Sequence, residues 1–191
     1  MPTMATILLF PHHPKESKEI LFEICNSEQV SLRRLLASNL SRIGSEDREF
    51  SEKILAELLN DEDSDTRVIS TTYLGTLARV ESHSFILLAK KIFQNEDSRM
   101  IQRLIESGIR HYFSMNPDDN EGLIPIAWVS SNSESKSKLS GMLIELAKTN
   151  QQSFQKICSK VLYLSPESYD ELFNRINLRN KDISSLIRNN Q

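Results

Sequence analysis

Residues 58 to 77 read LLNDEDSDTRVISTTYLGTL: the end of one apolar run, an acidic linker and a complete second run. Both runs and the linker return along the chain. Ile54, Leu55, Leu58 and Leu59 lie where successive turns of a helix share one face, and they match Ile20, Leu21, Ile24 and Cys25 thirty-four residues earlier. Leu88, Ala89, Ile92 and Phe93 match them again thirty-four residues later. The linkers keep step, with Ser27, Asp61 and Asn95 followed by Gln29, Asp63 and Asp97. Behind each comes a second run, in which Leu32, Leu36, Leu40 and Ile43 correspond to Thr66, Ser70, Leu74 and Leu77. A fixed period of this length marks supersecondary units that stack, because a single unit cannot bury its apolar stripe alone.

The composition agrees. At 191 residues and 39% hydrophobic content the chain can bury a substantial core, which a disordered segment cannot. Only 5 Gly and 6 Pro, with few alternating β-branched runs, argue against a sheet and for an all-α fold. A net charge of −3 argues against a dedicated non-specific nucleic-acid binder and leaves room for a local basic patch. Cys25 and Cys158 stand far apart on apolar helix faces and read as buried free thiols in a reducing compartment. The apolar run Ile7 to Phe10 lacks a preceding basic residue and stops at Pro11, unlike a secretory signal, and no stretch is long enough to span a membrane. The expected location is the cytoplasm.

Helical spacing and cap residues predict five helix pairs, near 15–43, 46–80, 83–115, 121–149 and 151–177. Residues 1–14 are expected to be an extended N-terminal segment, and 15–191 a single repeat domain closed by a polar C-terminal cap over 178–191. Ser45 with Glu46 and Asp47, and Ser165 with Pro166, read as helix starts. The period slips at Asn116 to Gly122, a polar insertion ahead of the wholly apolar LIPIAWV (Leu123 to Val129), whose Trp128 is expected in the core.

The second unit resembles a HEAT repeat, the helix-pair unit of armadillo-like α-solenoids. Asp61 and Asp63 match that family's linker acids, Arg67 its arginine, Ser70 and Thr71 its small pair, and Leu74-Gly75 its Leu-Gly, while Thr66 stands in place of a valine. The first unit keeps Leu32-Arg33, Ala37 and Leu40; the third keeps Asn95, Asp97 and Met100 but has Ile101 for the arginine. The resemblance implies a right-handed α-solenoid of about five HEAT-like pairs, whose second helices line a concave surface used for binding rather than chemistry. Gly75 would serve there as a position without a side chain at a helix crossing.

The chemical motifs are few. Asp61, Asp63 and Asp65 have the spacing of the first half of a calcium loop, but Thr66 and Thr72 occupy the positions that need Gly and Glu. The acids therefore read as helix caps and partners for arginines of the same or adjoining unit. His12, His13, His83 and His111 have no companion ligands, and neither a phosphate loop nor a nucleophile motif is present, so no catalytic residue, metal or cofactor is expected. The first four second helices carry a basic surplus within an acidic chain. Arg34, Arg42, Arg103 and Arg110 are the candidate residues for binding an acidic partner. The expected function is a non-enzymatic scaffold or adaptor for a protein partner. The alternative is a DNA-binding or repair protein like the HEAT-like alkylpurine DNA glycosylases, which also use a basic concave face.

Overall fold

In the computed structural model, which describes residues 2–80, 83–94 and 97–183, each apolar run of the sequence is a helix and no strand occurs among the described residues. The chain divides into two compact units, residues 1–77 and 78–191, where the periodicity alone suggests one array. The first unit holds α1 (Pro2–Leu9), α2 (Pro14–Cys25), α3 (Val30–Ser38), α4 (Leu40–Glu46), α5 (Arg48–Leu58) and α6 (Ser64–Thr71). Helix α7 (Leu74–Arg79) spans the division. The second unit continues with α8 (His83–Phe93), α9 (Ser98–Leu104), a π-helical turn (Ile105–Ile109), α10 (Arg110–Met115), α11 (Leu123–Val129), α12 (Ser133–Thr149), α13 (Gln151–Leu164) and α14 (Pro166–Arg179). Asn95, matched above to the linker acids, and the part of the expected cap beyond residue 183 lie outside the described residues.

Three details correct the sequence reading. Residues 2–9 are helical rather than extended: α1 packs on α2 and α3, burying Ile7, and Phe10 just beyond it stacks on Phe50 at 5.8 Å. Helix α5 starts at Asp47, not Ser45, because the Asp47 carboxylate accepts the free N–H of Phe50 at 2.9 Å while Ser45 turns back onto the Arg42 carbonyl. The first three second helices are also broken. They give way at Asn39, at Thr72–Tyr73 and at Ile105–Ile109, points one period apart. Hydroxyl and amide side chains bonded back to carbonyls one turn earlier accompany each break: Asn39 to Leu35, Ser70 to Thr66, Thr71 to Arg67 and Ser107 to Arg103. Such bonds compete with the helical ladder and bend it.

Within each unit the helices form two layers. In the first unit α2 packs on α5, and α3 packs on α6. In the second, α8 packs on α11 and α11 on α13, while α12 packs on α14. Apolar residues at the repeat positions fill the space between layers, among them Leu21, Leu55 and Leu36 in the first unit and Ala89, Leu139 and Phe154 in the second, all fully buried. Trp128 is buried as expected, its indole N–H donating to the Ser168 carbonyl at 2.8 Å. Gly44 permits one close approach: a Cβ there would lie 2.0 Å from the Tyr73 hydroxyl, which hydrogen-bonds Ser51 at 2.6 Å.

One arginine fastens consecutive repeats of the first unit. Arg33 donates through Nη1 to the Ser27 carbonyl at 2.5 Å, closing its own linker, and through Nε and Nη2 to both oxygens of Asp61 in the next linker at 2.7 and 3.0 Å. Both side chains are about nineteen-twentieths buried, 6% and 5% exposed. One period on, Arg67 makes the matching bond to the Asp61 carbonyl at 2.8 Å. The polar insertion of the second unit is equally well tied. Asp119 is fully buried at φ 42°, its carboxylate accepting from the N–H groups of Leu123 and Ile124 at 2.9 and 3.0 Å and from the Tyr112 hydroxyl at 3.2 Å. Asp118 accepts from Ser153, and Lys156 donates to Asn120, so the insertion is fixed to α13.

Removing one member of a buried, hydrogen-bonded ion pair strands the other charge, at a cost of about 3–5 kcal/mol. Arg33→Ala is expected to destabilise the protein by about this amount in urea unfolding followed by far-UV circular dichroism. Asp61→Ala should act non-additively with it in a double-mutant cycle.

Candidate functional site

The four arginines singled out by the sequence have different surroundings. Arg34 is 41% exposed, but its guanidinium is engaged through Nε and Nη2: it donates to the two oxygens of Asp63 at 2.7 and 2.8 Å and meets Asp65 at 3.0 Å. It therefore helps join the two linkers of the first unit. Arg103 lies 3.8 Å from Glu106. Arg42 and Arg110 are exposed, and neither guanidinium has a hydrogen bond or ion pair among the described residues. Arg34 and Arg42 belong to the first unit, Arg103 and Arg110 to the second.

The acidic linker does what its spacing predicts. Asp63 caps α6, accepting from the N–H and hydroxyl of Thr66 at 2.8 and 2.7 Å, and Asp61 accepts the Asp63 N–H at 2.8 Å. The hydrogen bond from Arg34, helped by that from Thr66, holds the Asp63 carboxyl well below the usual carboxylate range. Asp47 is lowered likewise, first by Lys18 at 2.5 Å and then by the Phe50 N–H. Burial pushes the Cys25 and Cys158 thiols up to about 12, so both free cysteines stay protonated and unreactive.

In the second unit Arg110 borders a groove of about 520 Å³ between neighbouring second helices. One wall is the π-helical turn with Ile105 and Glu106; the other is α12 with Lys138, Gly141 and Met142. The π turn includes Ser107 and Gly108, and Arg110, the residue after it, lies on the groove edge. Lys138 bridges the groove wall, donating to Glu106 at 2.5 Å and to Glu134 at 3.1 Å. That bond, more than any other influence, lowers the Glu106 carboxyl below its ordinary value. Glu145, at the far side, is held by Lys148 at 2.7 Å.

Of this groove the sequence points only to Arg110. Glu106 and Lys138, 32 residues apart with opposite charge, nearly repeat the period and could have been paired on that signal. Gly141 and Met142 carry none, because a small and an apolar residue on a helix read as packing. Among the described residues no group of His, Cys, Asp and Glu side chains is arranged to hold a metal, and no helix is long and apolar enough to cross a membrane. No protein-family model, curated protein or solved structure matches this chain.

Asp47 and Asp63 titrate lower in the folded chain than their ordinary 3.8, so their ionised forms favour the folded state. Their contribution is complete above about pH 4 and is lost as acid drives the pH below that value. Thermal melting as a function of pH should show this acid loss. Asp63→Asn, which keeps a capping oxygen but not the charge, should make it shallower.

Proposed function

We propose that this chain is a non-enzymatic interaction module, a right-handed α-solenoid of HEAT-like helix pairs that holds an acidic segment of a protein partner on its second helices. The two-layer packing within each unit supports the repeat architecture, as do polar side-chain bonds at separations near one period. These include Arg33 to Asp61 (28 residues), Lys90 to Glu121 (31), Lys138 to Glu106 (32) and Lys136 to Glu171 (35). The observation that carries the binding reading is the contrast between arginines. Arg33 and Arg34 are consumed in joining repeats, whereas Arg42 and Arg110 are exposed on second helices with no acid to meet among the described residues.

An unpaired exposed guanidinium is a fork suited to carboxylate or phosphate. Protein carboxylates fit better here. Nucleic-acid binding of the glycosylase kind uses exposed aromatics beside its cations, and Trp128 is at 0% exposure inside the core.

Fluorescence anisotropy with labelled Glu/Asp-rich peptides, and with duplex DNA of matched charge, separates the two. The peptides are expected to bind. Arg42→Glu and Arg110→Glu together should weaken that binding by about tenfold or more, equivalent to about 1.4 kcal/mol. DNA binding tighter than the peptide's, with a steep dependence on salt, would overturn the assignment.

A further inference from the structure

We infer that the groove beside Arg110 seats a short peptide presenting one carboxylate next to one large apolar side chain, the carboxylate on Arg110 and the apolar group over Met142 and Gly141. This inference rests on the interaction reading above and names the partner's recognition element.

Charge bookkeeping around the groove leads to it. Every carboxylate at this site already has a cation. Lys138 holds Glu106 and Glu134, Arg103 adds to Glu106 at 3.8 Å, and Lys148 holds Glu145. Arg179, beside Gly141, is spent on the Ser137 carbonyl and hydroxyl, so the guanidinium left unpaired among the described residues is that of Arg110. One unpaired guanidinium calls for one carboxylate. A polyphosphate or nucleic-acid strand would bring several negative charges, and Glu106 and Glu145 in the lining would repel the excess.

The remaining surface specifies the second half of the occupant. Ile105 is buried at the base, Met142 is half-buried, and Gly141 leaves room because it has no side chain. Methionine side chains adapt to varied apolar partners, as at other peptide-binding surfaces. A space of about 520 Å³ exceeds a single side chain, and pockets for specific ligands run from about 300 to 1,000 Å³. The edge residues Glu106, Arg110 and Glu145 are all exposed, so the groove opens along one side and a chain can enter sideways without the fold opening.

Gly141 supplies a clean test. A Cβ there meets only the Arg179 Nη1 atom, at 3.7 Å, an ordinary contact. Leucine also favours helix more than glycine does. Gly141→Leu should therefore keep its helix while adding a branched side chain to the groove lining, and its melting temperature is measured beside that of Gly141→Ala, whose one added heavy atom is the Cβ. The probes are end-capped decapeptides in a Gly/Ser background, with a central Asp or Glu and a Leu, Met or Phe placed one to four residues away. Controls replace the acid by its amide or the apolar residue by Ser, and a further control carries several acids and no apolar residue. Binding is read by fluorescence anisotropy.

The paired peptides are expected to bind about tenfold more tightly than either single-replacement control. Gly141→Leu and Arg110→Glu should each remove about tenfold, and Lys53→Ala, on an exposed face of the other unit, should remove none. If affinity follows the number of carboxylates alone and Gly141→Leu has no effect, the groove assignment is wrong while the acidic-partner reading stands. If no acidic peptide of either kind binds, both fall.

Discussion

The first unit depends on the buried contact between Arg33 and Asp61. A guanidinium placed this deep must satisfy its donors or it would be expelled to water. It does so by spanning two linkers, with the Ser27 carbonyl on one side and the Asp61 carboxylate on the other. The bond thus sets the spacing of consecutive repeats as well as closing a turn. Asp61 has two further duties, accepting the Asp63 N–H through its carboxylate and the Arg67 guanidinium through its carbonyl. A change at either residue therefore reaches the cap of α6 and the following arginine. Apolar burial supplies the bulk of the driving force, but it does not fix register, since one leucine face slides on another at small cost. A planar fork meeting a carboxylate has one geometry.

That contact also explains why so little of the basic surplus on the second helices is free. An arginine count along these helices treats all the cations as equivalent. The structure separates those that hold linkers together, Arg33, Arg34 and Arg67, and those with other partners, such as Arg79 and Arg103, from the exposed Arg42 and Arg110, which have none among the described residues. The two kinds fall at different positions of the repeat: Arg33 and Arg67 are one period apart, and Arg42 and Arg110 are two periods apart. What separates them is whether an acid from the next linker comes within reach, a tertiary fact that becomes visible once the helices are stacked.

The helical pairs were legible because the period repeats the apolar positions faithfully, and the acidic linker was legible because three aspartates at alternate positions have few other uses. Trp128 could be assigned to the core from the uninterrupted apolar run around it. Helix α1 was obscured by Pro11 and Pro14, which end a helix as readily as they mark an extended segment. The recurring breaks at Asn39, Thr72–Tyr73 and Ile105–Ile109 were hidden for a different reason. Asn, Ser and Thr in a helical run read as surface or as close-packing residues, and their bonds to carbonyls one turn back leave no mark in the hydrophobic pattern. Asp119 was missed because a charged residue in a polar loop is ordinarily solvated. This one is buried since it caps α11 and takes the Tyr112 hydroxyl at once.

The breaks bear on how a surface of this kind acquires a recess. A regular second helix would present the same face along its whole length, and stacking such helices would make a smooth wall. In the third pair the interruption is a π turn, which adds a residue within the helix and shifts the register of everything after it. Arg110, the first residue past the turn, therefore stands at the groove edge, while Ile109 beside it stays buried. The opposite wall, α12, is unbroken for seventeen residues and carries Gly141 where a side chain would otherwise close the space. A recess between two stacked helices thus follows from one extra residue on one side and one absent side chain on the other. Neither change disturbs the apolar positions that hold these helices together: Ile105 and Ile109 on one side and Leu139 and Leu143 on the other stay buried.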